Sequence, residues 1–287
     1  MKRLNVDFSS EYLEERQILR DVEIDAIFEK GKKWNLASTF QNGGTAIFPH
    51  TYLQSSGHYT AACVQGLLDS GADEVLVLGV LHAGKDKLFQ ARMQERERHD
   101  ISKLSVWGIQ GPGVGQDESW CDEFSLHGFL FLWAHEVKRR AILSPKLIIR
   151  FPFLANRHPE RLPGIKELES IVKNAPVIAT SDLCHHGLAY GTCPEQAHKL
   201  GNEAMRYAKT AIEKNLARLK SDNYSELYEV SRNINSDSLD VLPVLRHLLG
   251  PLEGEILDMT LVDTSQLYLG NPTPSWVAAS LVAFNKL

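Results

Sequence analysis

The sequence has few cysteines, no long apolar run and no cluster of basic residues. Its four cysteines are spread widely over 287 residues, and none forms a C-x-x-C pair. A disulfide framework is therefore not expected, and a reducing cytoplasm fits best. No stretch approaches the roughly 18 consecutive apolar residues of a membrane span, so no membrane partner is expected. Residues 1–28 lack a continuous apolar segment and carry many acids, so they are not expected to act as a signal peptide.

The charge distribution argues against a nucleic-acid partner. The chain carries 31 basic and 36 acidic residues, for a formal net charge of −5, and no basic stripe is interleaved with aromatics. Residues 87–100 (KLFQARMQERERHD) alternate Arg with Glu, which is typical of a solvated face. The Gly-rich stretch at 108–119 lacks the lysine of a phosphate-binding loop, so we interpret it as a flexible loop.

Apolar and amphipathic segments alternate along the chain, which predicts an α/β fold. Four apolar runs predict strands, at residues 43–50, 74–82, 146–153 and 176–181. Residues with helical periodicity lie between them, at 58–71, 122–140 and 165–174, and closing strands are expected at 255–263 and 274–284. Residues 1–287 are therefore predicted to form a single α/β domain, with a mostly parallel central sheet flanked by helices.

Three of the predicted strands end at histidine. His50 follows the first strand, His82 ends the second, and His185 and His186 follow the strand at 176–181. The carboxyl ends of parallel strands meet at one edge of a sheet, where ligands bind. Three neutral imidazoles suit a divalent cation such as Fe(II), Cu(II) or Zn(II). Asp182 precedes His185 by three residues; it could accept the second N–H of an imidazole or cap the following turn.

Four short motifs, in this order, resemble those of a known family. They are PHTY (49–52), GVLHA (79–83), TSDLCHHG (180–187), and DTSQ (263–266) followed by SWVAA (275–279). Together they resemble the Memo family, which shares its fold with the class III extradiol dioxygenases of the protocatechuate 4,5-dioxygenase type. The resemblance covers most of the chain and implies a Memo-like, extradiol dioxygenase-like fold.

By this resemblance, His50, His82 and His185 take the places of the family's three metal-site histidines. The metal it implies is Fe(II), with zinc or copper as alternatives. His186 stands where the family usually has an aromatic residue, which makes it a neighbour of the site rather than a ligand. Cys184 precedes His185 directly, so alternation along the strand predicts that its side chain faces the core.

Two segments depart from the family pattern. EFSLH (123–127) stands where the family has E-H-S-x-E, so Phe124 replaces a histidine and His127 replaces a glutamate. His127 either adds a nitrogen donor to the site or packs on its helix. Ser236 stands where many Memo proteins supply a cysteine, and no cysteine follows Cys193, so no thiolate ligand is expected from the C-terminal third.

The function expected from these features is that of a non-haem, metal-dependent oxidoreductase of dioxygenase type. His127 or His186 could act as general base, because imidazole titrates near neutral pH. The expected partner is a small molecule, with an aromatic compound as one candidate, and self-association into a homo-oligomer is left open. Two alternatives remain at this point: a non-catalytic binding or adaptor protein with a degenerate metal site, and a zinc-dependent hydrolase.

Overall fold

In the computed structural model, a central mixed sheet flanked by helices forms one α/β domain. The structure describes residues 8–115, 117–155, 157–267, 270 and 272–287. Residues 1–7, on which the signal-peptide expectation partly depends, and residue 116 of the Gly-rich stretch lie outside this range. Among the helices so described, none has the length and apolar character to cross a membrane.

Among the described residues, eight strands join in one sheet. They are β1 (Thr45–Phe48), β2 (Glu74–Leu78), β3 (Gly108–Gln110), β4 (Lys146–Phe153), β5 (Val177–Thr180), β6 (His185–Gly187), β7 (Leu252–Asp263) and β8 (Ser275–Lys286). Their order across the sheet is β3-β4-β2-β5-β1-β8-β6, and β7 also pairs with β8.

Helices lie between and around these strands. They are α1 (Phe8–Ile18), α2 (Asp21–Gly31), α3 (Ala37–Gln41), α4 (Leu53–Asp69), α5 (Asp86–Arg96), α6 (His127–Arg140), α7 (Ile165–Ile171), α8 (Asn202–Leu216), α9 (Tyr224–Asn233), α10 (Val241–Leu249) and α11 (Thr264–Leu267). Short 3₁₀ turns occur at Ser119–Asp122, Pro159–Arg161, Leu188–Tyr190, Pro194–Gln196 and Ala217–Lys220.

The prediction of a mostly parallel sheet was wrong, because the sheet is mixed. Strands β4, β2, β5 and β1 are parallel neighbours, but β8 is antiparallel to β1, β6 and β7, and β3 is antiparallel to β4. Strand β8 lies inside the sheet and is buried over its first ten residues. A strand covered on both faces has the same continuous apolar sequence whichever way it runs, so hydropathy could not give its direction.

Side chains of the parallel strands alternate between two apolar layers. Ala46 and Phe48 of β1 pack in the layer that contains α2, α4 and α6, whereas Ile47 packs in the layer that contains α7, α8 and α10. Strand β2 alternates in the same way, with Val77 on the first face and Leu78 on the second. Helices therefore cover both faces of the parallel core, and ligands can approach these strands only at their ends.

Several element boundaries differ from the predicted ones, and two of them affect the site. Strand β2 ends at Leu78, so His82 lies on an irregular segment four residues further on. Helix α6 begins at His127 rather than at residue 122, which leaves Glu123 and Phe124 outside the helix. The charged stretch predicted as a solvated face is largely helix α5, whose buried side comprises Leu88, Ala91, Arg92 and Glu95.

Candidate metal centre

The candidate site lies at the carboxyl ends of the parallel strands β1, β2 and β5. Strand β1 leads into His50 and the adjacent strand β5 leads into Asp182, and the two residues touch: the His50 backbone N–H donates to Asp182 Oδ1 at 3.3 Å. The His82 ring lies 5.0 Å from the His50 ring, centroid to centroid, at an angle of 87°. Residues far apart in sequence thus meet at one edge because their strands are parallel neighbours.

The His50 imidazole is buried, and its hydrogen-bond partners leave one ring nitrogen available to an ion. The Thr180 hydroxyl donates to the Phe48 carbonyl at 3.0 Å, so its oxygen is an acceptor for His50 Nδ1, 3.2 Å away. This network assigns the hydrogen of the neutral ring to Nδ1. His50 Nε2 is the ring nitrogen that remains available to bind an ion. It lies 3.6 Å from the Asp182 carboxylate and 3.1 Å from the Asp237 carboxylate.

His82 is held in the same way by a buried glutamate. Its Nδ1 donates to Glu123 Oε1 at 2.9 Å, and its backbone N–H donates to Glu123 Oε2 at 2.7 Å. Phe124 stacks on the ring at a centroid distance of 4.5 Å. With Nδ1 fixed by a carboxylate, Nε2 is left to face the site, which is the usual arrangement of a metal-binding histidine.

His185 shows the same pattern at the start of β6. Its Nδ1 donates to the Asn235 carbonyl at 2.7 Å, and the Tyr190 ring packs against it at 4.9 Å. One ring nitrogen of His185 lies within 4.8 Å of carboxylate oxygens of Asp182 and Asp237. The acceptor for the Nδ1–H of His185 is thus the Asn235 carbonyl and not Asp182, whose carboxylate contacts His50.

Asp237 links these histidines and was missed by the sequence analysis. Its Oδ1 accepts from the Ser181 hydroxyl at 2.5 Å. Its buried Oδ2 lies 3.1 Å from His50 Nε2 and 3.7 Å from His82 Nε2, yet no donor among the described residues meets it in hydrogen-bonding geometry. The available signal was Ser236: the motif comparison placed a family ligand there, one residue before the carboxylate.

Asp237 Oδ2 lies 3.1 Å from His50 Nε2 and 3.7 Å from His82 Nε2, which is close to the spacing of ligand atoms on a single divalent ion. Atoms bound to one ion at about 2.1 Å lie roughly 3.0–3.4 Å apart in octahedral or tetrahedral coordination. His50, His82 and Asp237 each offer one ligand atom, all within 4.8 Å of one another, and His185, Asp182 and Asp237 form a second group that shares Asp237. An orphaned carboxylate oxygen between two imidazole nitrogens is the feature that a bound cation would satisfy.

Nearby carboxylates raise the pKa values of His50 and His82. Burial lowers the pKa of His50, but Asp182 and Asp237 outweigh burial, and its pKa lies above the ordinary value. Burial also opposes protonation of His82, but Glu123 and Asp237 raise its pKa to about 10. In turn, His82 and the surrounding N–H donors hold the pKa of buried Glu123 below its usual value, against the effect of burial.

The pKa values of Asp182 and Asp237 are shifted in opposite directions. Burial raises the pKa of Asp182, with Asp237 adding to the rise. Burial acts on Asp237 in the same direction, but His50, His82 and His185 together hold its pKa far below the ordinary value. Asp237 is thus the carboxylate that stays charged at neutral pH and can bind a cation.

His127 and His186 lie apart from this group of ligand atoms. His127 begins helix α6, and burial together with Arg16 lowers its pKa. The His186 ring is stacked on Trp276 and contacts Tyr207, and its Nε2 accepts from the His198 backbone N–H at 3.0 Å. Neither residue lines the cavity beside the site.

The predicted orientation of Cys184 is confirmed, since its side chain is fully buried in the core. Ser236 lies beside the site, where its hydroxyl pairs with the Ser238 hydroxyl at 2.7 Å and contacts the Asp182 carbonyl at 3.5 Å. Many Memo proteins have a cysteine at the position that corresponds to Ser236. In this chain the same segment reaches the edge of the sheet that carries the site, but it supplies a hydroxyl at 236 and a carboxylate at 237.

A cavity of about 260 Å³ opens directly onto these residues. His82, His185 and Asp237 form part of its wall, together with apolar side chains that include Leu81 and Leu239. A small molecule in this cavity would be adjacent to an ion bound by the same histidines. The geometry thus combines a potential ion site with space for a second ligand.

Comparison with known proteins does not place the chain in a family. No model of a known protein family matches it, and a search of curated proteins finds no significant relative. The Memo resemblance consequently remains an expectation based on the four motifs.

Proposed function

We propose that this protein is a metal-dependent enzyme with a mononuclear non-haem centre, and that its metal is Fe(II). The observation that carries the proposal is the cluster of His50, His82 and Asp237, with His185 and Asp182 beside it, around an unsatisfied carboxylate oxygen. Two histidines and one carboxylate with open positions are the ligand set of non-haem Fe(II) oxygenases. Bound iron would supply the dioxygen chemistry that amino-acid side chains lack.

In this proposal the protein's own residues position the ligands and the substrate. The Glu123 carboxylate fixes the ring of His82, Thr180 fixes that of His50, and the Asn235 carbonyl fixes that of His185. Each contact directs an Nε2 toward the site, so that little reorganisation accompanies binding. The apolar part of the cavity wall excludes water around a bound substrate.

Asp182 is the group we propose to accept or hold a proton in the reaction. It is buried beside His50, and its raised pKa moves it toward the range in which a carboxyl exchanges protons near neutral pH. His127 and His186 were the residues predicted for this role from the sequence. Both lie outside the cavity wall, and their role stays a prediction.

The family-level proposal is a Memo-like protein related to the class III extradiol dioxygenases, acting as an oxidoreductase on a small, aromatic substrate. The ligand histidines follow the order of the family motifs, which supports it. The departures at Phe124 and Ser236 are compatible with the proposed site, because Phe124 stacks on His82 and Asp237 offers a ligand next to Ser236.

The second candidate is a zinc-dependent hydrolase. It is favoured by the same pairing of a cation site with Asp182, because a buried carboxyl of raised pKa beside a metal can serve as a general base toward water. Both candidates use the same ligands, so the metal and the co-reactant distinguish them.

Oxygen uptake is the measurement that tests the proposal. Protein stripped of metal, then loaded anaerobically with Fe(II), should consume dioxygen when one of a panel of aromatic diols is added. The His50→Ala variant should not, whereas His247→Ala, on α10 and away from the site, should behave like the wild type. Hydrolysis of ester probes by zinc-loaded protein, with no oxygen uptake by the iron-loaded form, would favour the hydrolase. Failure to bind either metal would leave the adaptor alternative.

A further inference from the structure

Three arginines line the cavity beside the candidate metal centre. Arg92 and Arg96 on α5 and Arg232 on α9 all contribute to its wall, whereas its carboxylates are Asp237 and Asp240. Arginine remains charged at any physiological pH, so each guanidinium at this cavity of about 260 Å³ that no carboxylate neutralises contributes a positive potential.

One of these arginines is committed to a structural role. Arg92 is buried, forms a bidentate ion pair with Asp240, and lies over the Phe153 ring at 4.7 Å. Asp240 also accepts from the Ala155 backbone N–H at 2.8 Å. This network holds the cavity wall together and neutralises the charge of Arg92.

The other two arginines keep charge facing the cavity. Arg96 is exposed at the end of α5, and within the described part of the chain no carboxylate lies within ion-pair distance of it. Arg232 pairs with Glu229 at 3.3 Å, but Glu229 lies outside the cavity wall and is shared with Arg157 at 3.0 Å. Asp237 faces the histidines rather than these arginines.

Apart from the histidines and the polar residues Tyr190, Asn235 and Ser236, the rest of the wall is apolar. Val80, Leu81, Pro152, Leu239 and Val241 contribute to it. The volume of about 260 Å³ lies just below the range of roughly 300–1,000 Å³ that is common for ligand pockets, so only a small ligand would fit. A small molecule with an apolar body and one anionic end would match both parts of this wall.

We infer that the cavity binds a small organic acid, whose acid group pairs with Arg96 and Arg232 while its apolar body lies toward the metal centre. The inference deepens the proposed function and rests on it in one respect: it takes the cavity as the substrate site. Guanidinium groups bind carboxylates through charge-assisted hydrogen bonds, so the acid group would fix the orientation of the substrate.

Calorimetric titration with a matched pair of probes tests the inference without any activity measurement. Benzoate and benzamide share ring and shape but differ in charge. Metal-free wild-type protein should bind benzoate at least about tenfold more tightly than benzamide, because a charge-assisted hydrogen bond is worth at least that factor. Arg96→Gln and Arg232→Gln should each weaken benzoate binding about tenfold and leave benzamide unchanged.

Arg206→Gln is the control, since it removes the same charge from an exposed position on α8 that does not line the cavity. Equal affinity of the wild type for benzoate and benzamide would overturn the inference. It would also be overturned if benzoate bound only to zinc-loaded protein and both arginine variants bound it normally, because the metal would then hold the acid group.

Zinc titration of the same proteins separates this inference from the proposed function. Metal binding without any preference for benzoate would reject the acid-binding cavity and leave the metal centre standing. A preference for benzoate that depends on Arg96 and Arg232, in protein that binds no metal, would support the cavity and reject the proposed enzyme.

Discussion

At the scale of single residues, the candidate site depends on side chains that fix the imidazoles. Glu123 is the clearest case, because its Oε1 accepts from the His82 ring and from two backbone N–H groups, and its Oε2 accepts from the His82 backbone. It is 8% exposed. A carboxylate so placed sets the ring orientation of His82 and leaves its Nε2 free to bind the proposed ion.

Replacing this carboxylate should weaken metal binding while leaving the ligands in place. Glu123→Gln is expected to lower affinity for a divalent ion about 10–100-fold, the usual cost of losing a hydrogen-bond partner of a metal-binding histidine. The neighbouring Asp122→Asn removes a charge that contacts Lys85 instead and should have little effect. Competition titrations against a chelator would measure both affinities, and equal affinities in the two variants would argue against a role for Glu123.

At the scale of elements, the short strand β6 carries His185 and depends on close contact with β8. His185 pairs with Val277 and Gly187 with Ser275. Gly187 has a φ of +110°, and a Cβ there would lie 2.1 Å from the Pro274 carbonyl oxygen. Both the backbone conformation and the lack of space therefore require glycine at this position.

Gly187→Ala is expected to destabilise the fold and to displace His185. Gly191→Ala is the matched control, because Gly191 also has positive φ (+80°) but a Cβ there would meet no atom within 4 Å. Gly187 (φ +110°, ψ −174°) has a backbone conformation that is essentially restricted to glycine, whereas Gly191 (φ +80°, ψ +14°) lies near the left-handed helical region. The greater strain and the clash together should make Gly187→Ala less stable by at least about 2 kcal/mol. Urea unfolding would give the difference, and a smaller loss in Gly187→Ala than in Gly191→Ala would contradict the tight β6–β8 contact.

Helix α6 ends in an ion-pair cluster that should make stability depend on pH. Glu136 is fully buried and accepts from Arg139 at 2.6 and 2.7 Å and from Arg140 at 2.7 Å. Burial alone would raise its pKa, but these hydrogen bonds hold the pKa below the ordinary value of 4.5. The stabilisation is therefore fully present above pH 4.5 and is lost as the pH falls through the lower folded-state pKa.

Glu136→Gln should reduce the free energy of unfolding by about 1–3 kcal/mol at pH 7, as expected for loss of hydrogen bonds to a charged group. The difference in the free energy of unfolding between variant and wild type should become smaller as the pH falls below 4.5. Glu213→Gln, an exposed residue on α8 near Lys209, is the control and should change little. Urea unfolding at pH 7 and pH 3.5 gives the comparison; a gap that widened at low pH would contradict the assignment.

At the scale of the whole molecule, the sequence predicted those features that depend on local pattern. Strand β4 was predicted with its observed bounds, because it is a largely apolar run between polar segments. The pattern also predicted that His50, His82 and His185 come together at one edge of the sheet, and the structure brings His50 and His82 into contact there. The direction of β8 and the position of Asp237 could not be predicted, since both depend on long-range packing. Asp237 lies in a polar segment before α10 that resembles an ordinary loop until the fold brings it to His50.

The central claim is that His50, His82 and Asp237 hold one divalent ion, with His185 beside it in the group that shares Asp237. Its most direct test is anaerobic Fe(II) titration of chelator-treated protein, with thermal unfolding of each variant recorded to separate ligand loss from misfolding. We expect one ion per wild-type chain and a loss of affinity of at least about 10–100-fold in folded His50→Ala, His185→Ala and Asp237→Ala. His186→Ala, whose ring packs on Trp276 away from the site, should retain the ion. Absence of a bound ion in the wild type, or equal retention in all four variants, would contradict the claim.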